Sequence, residues 1–231
     1  MNKGEYDIYH IRDNIMENEF KELVKIKNFI DYDKKIEKND KTFEKLMFIY
    51  KIAIKELKTK IETIQEEFKI FYDYDLIDHI NTRIKTPDSI LTKMKNKELE
   101  CTYKAMIENI NDIAGIRVVC PLKRDIYSIK NMLQKLPGIQ TIKEKDYVTN
   151  PKKSGYSAYH LILSVPIVLS QNIIYVKVEV QIRTMAMDFW SSLEHKMKYK
   201  TNKELTKKMS KTWISYAKMI NRMDNNIIDM E

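Results

Sequence analysis

Glycine is scarce. Four glycines occur in 231 residues, at positions 4, 115, 138 and 155, so neither a P-loop nor a GxGxxG turn can be written. A phosphorylated ligand would have to be held by side chains rather than by a glycine-rich backbone cradle. Cysteine is scarcer still. Cys101 and Cys120 are the only two and lack CxxC spacing, which argues against a zinc site and a disulfide framework. Such usage fits a reducing compartment. Long apolar runs are also missing. The longest, Leu161–Leu169, is too short to cross a bilayer and contains Pro166. The first dozen residues are polar, carry both charge signs and have no signal-peptide core. A cytoplasmic protein with no membrane partner is expected.

What is present is enough for one large domain with a helical extension. Hydrophobic residues make up 43% and charged residues 32% of the chain, and the net charge is +8. A basic balance suits partners that carry phosphate, nucleotide or nucleic acid. A composition rich in Lys, Ile and Asn produces the same figure without any partner.

The first 70 residues are helical in pattern. Leu46, Tyr50, Ala53, Leu57, Ile61, Ile64, Phe68 and Phe71 recur at steps of three and four. A weaker pattern of the same kind runs from Ile8 to Ile30. A solvated helical pair packed on the domain is expected, and such a stripe is more often core than a binding site. Beyond Tyr72 short strands alternate with helices. Leu76–Lys85 reads as a strand, and Thr86-Pro87 as the N-cap and first position of a helix. Ile113–Cys120 is a strand and Lys123–Leu136 a helix closed by Pro137-Gly138. Ile139–Val148, Tyr159–Leu169 and Ile173–Thr184 read as strands, with a turn near 170–172. Met185–Lys200 and a segment from about Lys203 read as helices. The expected fold is α+β, or mixed α/β, with helices flanking a sheet of about five strands. The expected divisions are a helical extension over 1–72, a central domain over 73–201 and a C-terminal helix over 202–231.

Five segments carry candidate chemistry. On a strand, Arg83 and Lys85 point to one face. On the helix that follows, Ser89 and Lys93 share a face. The four could converge on phosphate oxygens beside a capped helix N-terminus, although a solvated basic helix looks the same. In Tyr175–Arg183 four apolar residues alternate with Lys177, Glu179, Gln181 and Arg183. That polar face either lines a cleft or faces water. Asp112 opens another strand that also holds Arg117. With Glu179 it could form a Mg²⁺ site. Tyr156 follows Gly155 at a loop lip, where an aromatic ring can stack on a base, with His160 beyond it. Asp188, Ser191 and His195 share a face of the helix after Thr184.

In this order the segments resemble the synthetase domain of the RelA/SpoT family over residues 75–200, and its small stand-alone alarmone synthetases most closely. The carriers are Arg83-Ile84-Lys85, Asp112-Ile113-Ala114-Gly115, Lys153-Ser154-Gly155-Tyr156 through His160, Glu179-Val180-Gln181-Ile182-Arg183-Thr184, and Phe189-Trp190 with Glu194-His195. The resemblance implies a nucleotidyltransferase-like fold and pyrophosphate transfer from ATP to the 3′-hydroxyl of GDP, GTP or GMP, releasing AMP. It places ATP on Arg83, Lys85, Ser89, Lys93 and Arg117, and Mg²⁺ on Asp112 and Glu179. The guanosine nucleotide would meet Tyr156, His160, Gln181, Asp188 and Lys153, with Glu179 as base. Two departures fall on the acceptor side. Ser157 stands where the family often has Arg, which leaves Lys152 or Lys153 to supply the cation, and Asp188 stands where Asn is common. No His is followed by Asp, so synthesis without hydrolysis is expected. The resemblance further implies a homo-oligomer, a tetramer in small relatives, for which the stripe on Lys41–Phe71 is a candidate contact. Two other readings use the same residues: a relative that pyrophosphorylates the 3′ end of tRNA, and a catalytically inactive nucleotide- or RNA-binding regulator.

Overall fold

The computed structural model describes residues 33–37, 41–169, 173–201 and 207–228. The weak pattern at Ile8–Ile30 and the turn at 170–172 lie outside them. In chain order the elements are α1 (Lys41–Tyr72), β1 (His79–Ile84), α2 (Pro87–Asn96), α3 (Tyr103–Asn109), β2 (Ala114–Cys120) and α4 (Lys123–Lys135). They continue with β3 (Gln140–Asp146), β4 (Tyr159–Val168), β5 (Ile173–Thr184), α5 (Met185–Thr201) and α6 (Lys207–Ile228).

The five strands form one mixed sheet in the order β1-β2-β5-β4-β3. Only β2 and β5 are parallel; the other neighbours run antiparallel. The expected mixed sheet of about five strands is therefore the observed one. Strand β5 lies at its centre. Its even-numbered residues Val176, Val178, Val180 and Ile182 are buried, as are their register partners on β2 and β4. These residues share one core with α1 and with Ile126, Ile129 and Leu133 of α4. The opposite face of the sheet is left free to form a cleft.

The apolar stripe of α1 belongs to this core. Leu46, Tyr50, Ala53, Leu57, Ile61 and Ile64 are all buried against the rest of the chain. Only the end of the stripe emerges, where Phe71 is 77% exposed. Burial of this size is the main stabilising term for such a helix. It also corrects the expectation that the stripe serves contacts between subunits, because those side chains are already covered.

Two other local readings change. The strand read as Leu76–Lys85 is shorter, His79–Ile84, and Leu76 and Ile77 are buried in the core ahead of it. Helix α3 was not expected. Its signals are local: Thr102 accepts a hydrogen bond from Ala105 N at 3.2 Å, and Tyr103, Met106, Ile107 and Ile110 recur at helical spacing. The Thr86 cap holds, with Thr86 Oγ1 accepting from Ser89 N at 3.4 Å and Pro87 at the first turn.

Candidate active site

Sheet register brings residues of five strands, most of them polar, into two adjacent rows on the free face. One row reads Asn81, Arg117, Gln181, His160 and Lys145. The next reads Arg83, Gly115, Glu179, Ile162 and Lys143. Gly115 stands between Arg83 and Glu179. A Cβ there would meet Arg83 Cγ at 3.3 Å and Nε at 3.4 Å, so the missing side chain gives Arg83 its path across β2. A bulge between Thr141 and Lys143 matters at the other edge. Without it Lys143 would lie on the same side as Thr141. With it, Lys143 and Lys145 turn to the cleft side.

The cleft has a volume of about 720 Å³. Cations line it from both flanks, and two carboxylates, the buried Asp112 and the half-buried Glu179, sit between them. Asp112 lies two residues before the start of β2 and is 8% exposed. Lys85 Nζ donates to its Oδ2 at 3.0 Å, and Lys93 Nζ lies 2.8 Å from Oδ1. The Lys93 contact is an ion pair by distance but lacks hydrogen-bond alignment, so Oδ1 has no aligned donor. Burial by itself would raise the Asp112 carboxyl. The two ammonium groups outweigh that and hold it below the usual Asp range.

Glu179 is held by its neighbours in the rows. Gln181 Nε2 donates to Oε2 at 2.8 Å, and His160 Nδ1 lies 3.3 Å from Oε1. Burial pushes this carboxyl up. The hydrogen bond and charge of His160, with the Gln181 hydrogen bond, push it further down, so it lies below the usual Glu range. Glu179 is therefore ionised at neutral pH.

From Glu179 a chain of contacts runs to the helix α5. His160 Nε2 lies 2.7 Å from the Tyr156 hydroxyl, which accepts from Arg183 Nη2 at 2.8 Å. Arg183 Nη2 also donates to Gln181 Oε1 at 2.6 Å, and Nη1 to Asp188 Oδ1 at 3.2 Å. Arg117 Nη1 meets that same oxygen at 3.0 Å. Arg183 is 3% exposed, and its Nε is buried without a partner. Burial raises the Tyr156 phenol, so it remains protonated. Burial and the nearby Arg183 lower Arg117 from its ordinary value. Rings gather on this flank. Tyr147, Tyr156 and His160 make mutual edge contacts, and Lys152 Nζ stands 4.7 Å from the Tyr147 centroid and 4.6 Å from that of Tyr156.

The sequence profile described as "Region found in RelA / SpoT proteins" matches residues 82–204, the span from β1 through α5. This chain belongs to the RelA/SpoT family. Over 185 residues it is 38% identical to GTP pyrophosphokinase YwaC of Bacillus subtilis, covering 80% of this chain and 88% of that one. It is 31% identical over 192 residues to GTP pyrophosphokinase YjbM of the same organism, covering 83% and 90%. A crystal structure of small alarmone synthetase 1 from Bacillus subtilis, bound to its product pppGpp, superposes with a TM-score of 0.76 at 31% identity. That match covers 83% of this chain and 97% of the other.

In this RelA/SpoT domain Arg83, Lys93, Asp112, Arg117, Tyr156, His160, Glu179 and Gln181 all line the one cleft. Four expected residues are placed differently. Lys85 is engaged with Asp112. Ser89 is exposed and its hydroxyl accepts from Thr86 Oγ1 at 2.8 Å. Asp188 is occupied by two guanidiniums. Lys153 lines a second cavity, whereas Lys152 reaches the cleft. Ser157 donates to the Tyr147 carbonyl at 2.9 Å, turning its hydroxyl to the backbone. Residues with no assigned role in the sequence reading also line it: Arg183, Tyr147, Lys143 and Lys145. For Arg183 a signal existed, since it shares the polar face of β5 with Glu179 and Gln181.

Asp112 and Glu179 are the two candidate metal ligands. Among the described residues no three His, Cys, Asp or Glu side chains group to hold an ion. Mg²⁺ does not need such a cage. It is commonly held by one or two carboxylates with substrate phosphates and water completing the shell. Two ionised carboxylates in a phosphate-sized basic cleft, one with an oxygen lacking an aligned donor, fit that pattern.

Proposed function

We propose that this chain is a (p)ppGpp synthetase, transferring pyrophosphate from ATP to the 3′-hydroxyl of GDP or GTP. The observation that carries the reading is the arrangement of the cleft, with two ionised carboxylates between a cationic flank and an aromatic, lysine-bearing flank. Arg83 and Lys93 grip the ATP phosphates, and Arg117 lies on the adenine side. Mg²⁺ held by Asp112 and Glu179 would neutralise phosphate charge. Tyr156 stacks on the acceptor base. Lys152 supplies the cation that Ser157 does not, with Lys143 and Lys145 reaching the 5′-phosphates. Glu179 accepts the 3′-hydroxyl proton as the oxygen bonds to the β-phosphorus. The bond from that phosphorus to the α,β-bridging oxygen breaks, and AMP leaves. Positioning and charge neutralisation carry most of such a transfer.

Three lysines on the acceptor flank suit a 5′-di- or triphosphate better than a monophosphate, so GDP and GTP are expected to exceed GMP in kcat/KM. Chromatography of products from ATP with GDP, GTP, GMP or bulk tRNA tests the reading. A guanosine 3′-pyrophosphate with matching AMP is expected. Label moving to tRNA alone overturns it.

We further propose that the reaction takes place in the cytoplasm and that the subunits form a homo-oligomer. With the α1 stripe buried, the contact is assigned to the outward face of α6, where Tyr216, Met219 and Met223 are exposed. Met219→Glu with Met223→Glu should shift elution on size exclusion toward the monomer.

A further inference from the structure

A second cavity, of about 300 Å³, lies behind the loop that carries Tyr156. Its walls are α5, α6 and the segment 151–157. Met187, Trp190, Ile214, Ala217 and Ile220 make it mostly apolar. That volume is roughly twice the ~150 Å³ cavity that takes up one benzene ring, so two fused rings or a short acyl chain would fit. Three lysines, Lys152, Lys153 and Lys218, also line it, and among the described residues no carboxylate does. An apolar interior with cations alone at its charged positions selects a ligand with an apolar body and an anionic head.

The cavity adjoins the acceptor loop directly. Gly155 has φ +91°, and a Cβ there would come within 2.4 Å of Ala217 Cβ, so the loop rests on α6 with no space between them. Gly155 and Ser157, which flank Tyr156, line the cavity, and Lys152 lines both the cavity and the main cleft.

We propose that this cavity binds a small amphipathic anion, a carboxylate or phosphate ester of a short apolar body, and that the bound anion competes for Lys152. One ammonium group cannot face an anion in each space. Occupancy therefore draws Lys152 away from the Tyr156 ring and weakens the acceptor site. This second step, unlike binding itself, rests on the function proposed above.

The test uses octanoate and octyl phosphate, with octanol as the neutral control. Trp190 and Trp213 are the only tryptophans, and their rings are 6.3 Å apart, so intrinsic fluorescence reports occupancy. Saturable quenching by both anions is expected, with octanol clearly weaker. Lys218→Glu should weaken the anions about fivefold or more by replacing attraction with repulsion near the head group. It should leave ligand-free turnover unchanged. Ile220→Phe, which fills the cavity, should abolish binding. Octanol binding as well as octanoate, or an unchanged affinity in Lys218→Glu, overturns the anion site even if Ile220→Phe fails to fold. In the kinetic arm octanoate should raise the acceptor KM and spare that for ATP. Fluorescence binding with no change in acceptor KM overturns the coupling but not the site. Binding in a protein that makes no guanosine product leaves the site standing and sinks the function instead.

Discussion

Arg183 meets three groups of the site with one guanidinium. It ties Tyr156 and Gln181 on the acceptor flank to Asp188, which it shares with Arg117. Lys at this position keeps the charge but lacks the fork. Arg183→Lys should lower kcat/KM for the acceptor roughly ten- to hundredfold, the scale on which small misplacements act. The ratio of the two KM values is the decisive readout. A role confined to folding would reduce active protein and leave both KM values where they were. Glu179 is a different case, because its proposed role is to take the proton of the reacting hydroxyl. Glu179→Gln should cut AMP release about 10²- to 10⁴-fold, the usual span for a lost general base, with ATP still bound in an equilibrium titration. Unimpaired turnover would remove Glu179 from that role.

At the scale of elements, the pairing of β1, β2 and β5 sets the distance between Arg83 and Glu179. Gly115 is the spacer in that row. The atoms a new Cβ would meet belong to a flexible side chain at 3.3 and 3.4 Å, so it is Arg83 that must yield. Gly115→Ala should therefore change the melting temperature little and lower kcat/KM for ATP about tenfold or more. A large loss of stability with an unchanged ATP KM would show that the glycine serves packing instead. Gly155 makes the contrasting case. Its positive φ and the 2.4 Å approach to Ala217 mean that an added methyl strains the loop and displaces α6 together.

Acid response belongs to the whole molecule, because it sums groups that the fold has shifted. Asp112 and Glu179 both have folded pKa values below their ordinary ones. The folded state then binds fewer protons than the unfolded chain as pH falls through the ordinary carboxylate range near ~4. Their contribution to stability is full above that range and is lost as pH drops through the lower, folded values. Urea unfolding at about pH 7 and about pH 3.5 should show the loss, and Asp112→Asn should make it smaller. An equal loss in that variant would mean that other carboxylates govern the acid limb. Net charge of +8 adds mutual repulsion as acids are neutralised, in the same direction.

The sequence by itself determined what depends on neighbours in the chain. The alternation in β5 exposed its polar face, Thr86-Pro87 marked the start of α2, and the order of motifs identified the family. Steps of two, three or four residues set each of these features, and no distant contact is needed to read them. The same locality could have revealed α3, whose cap and spacing were present. Tertiary structure alone decided the rest. It decided for the α1 stripe between the core and a subunit contact, because the face of a sheet was there to receive it. It turned Lys143 and Lys145 into the cleft through a bulge that only pairing with β4 defines. It set Lys152 between the cleft and the cavity behind, and Lys153 against the cavity alone, a difference between adjacent lysines that depends on where α6 docks. It also buried Arg183 among Tyr156, Gln181 and Asp188. These outcomes depend on residues far apart in the chain, and a local pattern carries no record of which distant group a side chain will meet.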